Sequence, residues 1–255
     1  MRYTAGYRST GFSFSGAFPP GVKWLLIVNI AVFVLYFFTA QSAFGLLFQP
    51  LKLVPRDVLE GFAVWQLGTY LFLHDPFGFG HILFNMLTLW MFGKDLEAMW
   101  GTRRFLRYYF LCGIGAGLCV VAANALFGNV DRATIGASGA IYGLLLAFGM
   151  LFPDSVVLFS FLFPIKAKYF VMILGAIAFM SSLSSGNSRV SNVAHLGGMI
   201  FGFIYLRTAL GVRPGKFRFR LAIPFREWYK EWKIQRAKKK FEVYLRKQDR
   251  DRWVQ

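Results

Sequence analysis

The sequence predicts an all-α, polytopic membrane bundle of six helices, and three observations carry this. The 255 residues are 56% hydrophobic and 19% aromatic, with a mean hydropathy of +0.48, too apolar for a soluble domain. The apolar residues gather into runs approaching the roughly 20 residues that a helix needs to cross a hydrocarbon core of about 30 Å. Lys and Arg concentrate in alternate connections between those runs, as cytoplasmic loops retain them.

The first span covers about Trp24 to Thr39 and the second about Phe79 to Phe92, with a long amphiphilic connection between them broken by Pro50, Pro55 and Pro76. The third covers about Phe105 to Phe127, the fourth Ser138 to Pro153, the fifth Tyr169 to Leu183 and the sixth Val193 to Leu210. Val156 to Phe163 is about half a span and ends at Pro164, so it reads as interfacial or re-entrant. A seven-span reading stays open at this point. Residues 1–22 lack a cleavable-signal pattern, so the first apolar run reads as an anchor and first helix. The chain divides into a Gly- and Ser-rich, flexible cytoplasmic segment (1–20), a membrane domain (21–210) and a basic cytoplasmic tail (211–255).

Orientation follows from charge. Arg2, Arg8 and Lys23 precede the first span, Lys94, Arg103, Arg104 and Arg107 follow the second, and Lys166 and Lys168 follow the fourth. These positions read as cytoplasmic, which puts both termini inside. Residues 211–255 hold 15 Lys/Arg against 5 Asp/Glu, so +10 of the net +17 lies in the tail. Basic charge beside a membrane attracts anionic lipid, and no recognisable nucleic-acid module accompanies it. Trp228, Trp232, Phe241 and Leu245 interleave with that charge as an interfacial or partner-packing helix would; a solvated positive-inside tail is the plainer alternative.

Polar side chains inside spans are costly and point to function. His81 and Asn85 stand at the start of the second span, Ser138 at the start of the fourth, and Asn192 and His195 at the start of the sixth. With the N-terminus inside, each of these is an external end, so three distant segments bring hydrogen-bonding groups to one depth. A serine hydroxyl needs a base to become nucleophilic, and histidine serves near neutral pH. Gly139, Gly143 and Ala147 on the fourth span and Ala194, Gly198 and Gly202 on the sixth form small-residue faces that let two membrane helices approach. Ser138 and His195 would then meet. A helix start also presents unpaired N–H groups to a developing oxyanion. His81 and Asn85, at i and i+4, share one helix face and supply side-chain donors. Tyr142, four beyond Ser138, can pack its ring on the His195 imidazole.

The motifs "HILFN" (His81 to Asn85), "GASG" (Gly136 to Gly139) with Tyr142, and "AHLGGMIFG" (Ala194 to Gly202) resemble those of the rhomboid-family intramembrane serine proteases over residues 20–210. That resemblance implies a six-helix bundle whose short central fourth helix presents the serine in a hydrated cavity below the outer surface. It implies Ser138 as nucleophile, His195 as general base and acid, His81 and Asn85 with backbone N–H as oxyanion hole, and Asn192 as a hydrogen-bonding support. It implies no catalytic acid and no cofactor or metal. "LEAMWG" (Leu96 to Gly101) resembles the family's structural stretch, with Glu97 a cytoplasmic-side hydrogen-bonding residue. Many members carry a Trp-Arg pair in the first external loop; here Gln66 follows Trp65. The fifth span and the Phe-rich segment before it are the implied gate. The simple six-span form is similar to the bacterial type, in an inner membrane.

The expected activity is therefore endoproteolysis of transmembrane protein substrates. The alternative is a catalytically silent relative that binds transmembrane helices. A metal transporter using His74, His81 and His195 lacks the carboxylates that would line a path, and His74 beside Asp75 reads as exposed or interfacial. Cys112 and Cys119 have no metal or disulfide spacing. Oligomeric state is not readable from these residues.

Overall fold

The computed structural model describes residues 18–127, 129–159, 163–182 and 189–212. They fall within one compact unit, residues 1–213; the second unit, 214–255, lies outside the described residues, as do most of the expected flexible N-terminal segment and basic tail.

Helix α1 (Pro20–Thr39) begins with proline at its first position, where the missing N–H costs nothing. Short helices α2 (Pro55–Leu59) and α3 (Gln66–Thr69) follow, then α4 (Phe79–Trp100) and α5 (Thr102–Phe127), separated by Gly101 at φ +75°. Helix α6 (Ser138–Leu151), strands β1 (Val156–Phe159) and β2 (Phe163–Lys166), and helices α7 (Ala167–Ser182) and α8 (Arg189–Thr208) complete the order. By length and composition α1 and α5 can cross a membrane, while α6 and α7 are shorter apolar helices. The α4 helix continues eight residues past Phe92. Its backbone bonds persist where Lys94, Asp95 and Glu97 end the apolar run, so hydropathy marks the apolar part of the helix and not its end.

The segment expected to be interfacial or re-entrant, Val156 to Phe163, lies within a hairpin, in which β1 and β2 pair antiparallel with Val156 opposite Lys166 and Phe159 opposite Phe163. Two short strands rich in β-branched and aromatic residues satisfy each other's backbone. At its base Asp154 accepts from Lys168 (2.9 Å) and sits 3.4 Å from Lys166. The two ammonium groups hold the Asp154 carboxyl below its ordinary pKa, Lys168 foremost.

The connection from α1 to α4 is held by its own polar groups. The Trp65 indole donates to the Pro50 carbonyl (3.0 Å), and buried Gln66 accepts from Val54 N–H (2.8 Å) and donates to Asp57 (3.0 Å). The same connection is stitched to the segment before α6. Leu53 and Thr134 exchange backbone bonds, Arg56 N–H donates to Val130, and Gly136 N–H donates to the Tyr70 carbonyl. The Arg56 guanidinium grips Asp131 at 2.6 and 3.0 Å, which raises the arginine pKa.

Helix α6 lies in the core, contacting α4, α5, α7 and α8. Its closeness to α8 needs glycine: a Cβ on Gly198 would run into the Gly139 carbonyl, and one on Gly143 would lie 2.5 Å from Cys112 Sγ and 3.1 Å from the Gly198 carbonyl. Gly202 does not continue this face. A Cβ there would meet Tyr108 Oη (2.5 Å) and Cys112 Sγ on α5, because the four-residue spacing drifts around a 3.6-residue helix.

Candidate active site

Ser138 is the first residue of α6, and the first backbone bond of that helix is Ile141 N–H to Ala137 carbonyl. The N–H groups of Ser138, Gly139 and Ala140 therefore precede the intrahelical ladder at the positive end of the helix. At about 1.5 Å per residue the 14 residues of α6 reach only about 21 Å. The chain turns into this helix through Gly136 at φ +119°, a conformation that L side chains rarely adopt.

His195, on α8, brings Nε2 to 2.9 Å from Ser138 Oγ, 57 residues away in sequence. A serine hydroxyl donating there requires the neutral ring to carry its proton on Nδ1. That Nδ1 is buried and has no hydrogen-bond partner among the described residues. Orientation comes instead from Tyr142, whose ring stacks on the imidazole at 4.0 Å between centroids and 3° between planes.

His81 places its Cε1–Nε2 edge against Gly136: a Cβ on that glycine would lie 2.9 Å from Cε1 and 3.0 Å from Nε2. Asn85 is buried and donates to the His81 carbonyl (2.9 Å), one of its two amide hydrogens. Both line a cavity of about 580 Å³ with Ser138, Tyr142 and His195, which runs on to Phe92 and Phe170. Phe92 stacks near Phe170 (6.1 Å), so α4 and α7 face each other across it. Asn192, three residues before His195, is half-buried and engaged in an interaction of its own. Gly139 and Gly198 lie at the α6–α8 contact, and Gly202 lies against α5. Among the described residues no three His, Cys, Asp or Glu side chains gather as a metal would need.

One reading is overturned. His74 is not exposed or interfacial but fully buried, with neither ring nitrogen hydrogen-bonded and its ring centroid 5.2 Å from that of His81. Burial, then the neighbouring His81, push its pKa down to about 4, and the polar Phe72 backbone pulls the other way. Asp131 pairs with Arg56 and not with either dyad residue. Tyr70 also went unread. Its carbonyl holds Gly136 N–H, and its hydroxyl donates to Gly113 (2.7 Å) on α5. The scarcity of histidine, three in the chain, was the one available signal for His74.

The rhomboid domain family model matches residues 61–211. YdcA of Bacillus subtilis is 31% identical over 195 residues, covering 72% of this chain and 86% of its own. The rhomboid protease GluP of the same organism is 35% identical over 158 residues, 62% of this chain but 28% of GluP. The mitochondrial rhomboid protein 1 of Saccharomyces cerevisiae is 30% identical over 203 residues, 76% of this chain and 55% of that protein. With a family match over more than half its length, the chain belongs to the rhomboid family and is an integral membrane protein.

Proposed function

We propose that this protein is a serine endopeptidase that cleaves transmembrane segments of membrane proteins with a Ser138–His195 dyad. The observation that carries the reading is the 2.9 Å contact between Ser138 Oγ and His195 Nε2 at the start of a short core helix. Membership in a family whose GluP relative is named a protease supports it. Residues 21–210 form the six-span protease domain, with both termini cytoplasmic in a bacterial inner membrane. The +10 net charge of residues 211–255 attracts anionic lipid.

His195 Nε2 takes the proton of Ser138 as Oγ bonds to the scissile carbonyl carbon, and the carbonyl electron pair moves onto oxygen. That oxyanion receives hydrogen bonds from the Ser138 backbone N–H, a ring N–H of His81 and the amide hydrogen that Asn85 does not spend on its own helix. The C–N bond then breaks and the leaving amine takes the proton from His195. A water, deprotonated by His195, releases the acyl group and restores Ser138. Tyr142 keeps the imidazole in plane, and Asn192 supports that end of α8. A helical substrate must unwind locally, because its own hydrogen bonds protect the peptide carbonyl. The cavity mouth between α4 and α7 is the lateral gate for that segment.

The test uses full-length protein in liposomes with a fluorogenic transmembrane substrate. Cleavage is expected from the wild type and is lost in Ser138→Ala and His195→Ala. Cleavage surviving Ser138→Ala overturns the dyad, and binding of substrate without cleavage by the wild type identifies a silent helix-binding relative instead.

A further inference from the structure

The dyad and oxyanion donors leave the remaining one of the chain's three histidines, His74, without a role. His74 is fully buried, neither of its nitrogens has a partner, and its ring lies 5.2 Å from His81 at a 58° tilt. An unpaired buried polar group is expensive, so a second imidazole brought to this position calls for a polar role.

His81 itself poses the matching requirement. Its Nε2 lies on the edge against Gly136, two residues before Ser138. Donation toward an oxyanion from that edge needs the proton on Nε2, so Nδ1 must stay an acceptor. A neutral imidazole keeps that tautomer when a donor faces the other nitrogen. Of the titratable groups near His81, Asp75 is an acceptor only, exposed and spent on Phe77 N–H (3.1 Å), and His195 is turned to Ser138. A carboxylate at Nδ1 would draw the proton to the wrong nitrogen. The ring N–H of His74 completes no hydrogen bond among the described residues, the Phe72 backbone being the acceptor that competes for it, and a 5.2 Å centroid separation lets a nitrogen of each ring reach hydrogen-bond distance with a small turn.

We propose that His74 is a positioning residue for His81: its ring N–H donates to His81 Nδ1 and thereby keeps the His81 proton on Nε2, beside Gly136 and the serine. The proposal rests on the endopeptidase reading, since the tautomer matters only where His81 faces an oxyanion.

The test again uses the full chain in liposomes with a fluorogenic transmembrane substrate, and Ser138→Ala serves as the arm that judges the dyad separately. His74→Leu keeps the apolar packing and removes the donor. It is expected to lower kcat about tenfold or more, a part of what losing an oxyanion donor costs, with KM and the thermal midpoint at pH 7.5 unchanged. His74→Gln, which restores an N–H, is expected to recover kcat to within about threefold of wild type. In the double variant with His81→Ala, removing His74 should cost nothing further. Wild-type kcat in His74→Leu, or losses that multiply in the double variant, overturns the proposal while leaving the dyad intact. A measurement that needs no His74 variant is the ¹⁵N imidazole spectrum of the wild type, with His81 assigned by its loss in His81→Ala. The Nε2–H tautomer is expected, and Nδ1–H overturns the assignment even if every His74 variant fails to fold.

Discussion

The ring of Tyr142 lies flat on the imidazole of His195, 4.0 Å away and 3° from parallel. With His195 Nδ1 unpartnered among the described residues, this stack is the contact that fixes the plane in which Nε2 meets Ser138. Ring pairs contribute about 0.5–1.5 kcal/mol beyond the area they bury, which caps the kinetic effect near tenfold. Tyr142→Ala should lower kcat by up to about tenfold with little change in KM. Tyr142→Phe keeps the ring and should stay within about twofold of wild type. Steady-state cleavage rates check both, and an equal loss in Tyr142→Phe would move the role from ring to hydroxyl.

Backbone contact between α6 and α8 makes a second expectation sharp. A methyl group at Gly198 collides with the Gly139 carbonyl, and a backbone group cannot rotate away as a side chain can. Gly198→Ala should therefore cost about 3 kcal/mol, the upper end for overpacking, and separate Ser138 from His195. Gly68→Ala, with open space around the added carbon, should change stability by less than about 0.5 kcal/mol. Thermal unfolding of the two in the same detergent compares them directly, and similar midpoints would dissolve the close-packing argument.

What the sequence discloses is set by how local its cause is. Ser138, His195, His81 and Asn85 were legible because topology alone puts the starts of three spans at one level, and Gly139 and Gly198 because small residues at four-residue intervals mark a close crossing. Gly202 shares that spacing but faces Tyr108 and Cys112, since the phase of a helix about its axis is decided by all its neighbours. His74 sits in a connection whose folding depends on Gln66, Trp65 and the pairing of Leu53 with Thr134, all long-range. Its burial could not be read beside an aspartate and a proline. The hairpin at Val156–Lys166 was hidden for another reason: a four-residue apolar run such as Val156–Phe159 suits a strand and a half-span equally.

Acid sensitivity follows from His74. Folding lowers its pKa from the ordinary 6.5 to about 4, chiefly by burial. Between those values the unfolded chain binds the additional proton, so the contribution is fully present above pH 6.5 and is lost as the pH falls to about 4. The full drop amounts to roughly 3.4 kcal/mol. In His74→Leu this part of the pH dependence should vanish. Unfolding midpoints measured from pH 7.5 to 4 decide it: an unchanged slope in the variant assigns the acid sensitivity elsewhere.

The last prediction concerns the opposite end of the bundle. Glu97, on α4, is 3% exposed, yet its carboxylate is well satisfied. It accepts from the N–H of Gly21 (2.7 Å) and of Val22 (2.8 Å) and from the Thr102 hydroxyl. Gly21 and Val22 are in the first turn of α1, where N–H groups lack intrahelical acceptors and Pro19 offers no side-chain cap. One carboxylate thus caps the first helix, joins it to the fourth, and through Thr102 holds the start of the fifth. Removing it strands two buried donors at once, each costing about 1–3 kcal/mol. Glu97→Ala should destabilise the fold by about 2–5 kcal/mol. Glu97→Gln keeps one acceptor oxygen and should lose about half as much. Because Glu97 sits twelve residues along α4 from Asn85, about 18 Å down the helix, the fraction that remains folded should cleave at the wild-type kcat. Unfolding free energies together with kcat per folded molecule check this, and a lowered kcat in well-folded Glu97→Gln would give Glu97 a part in the site.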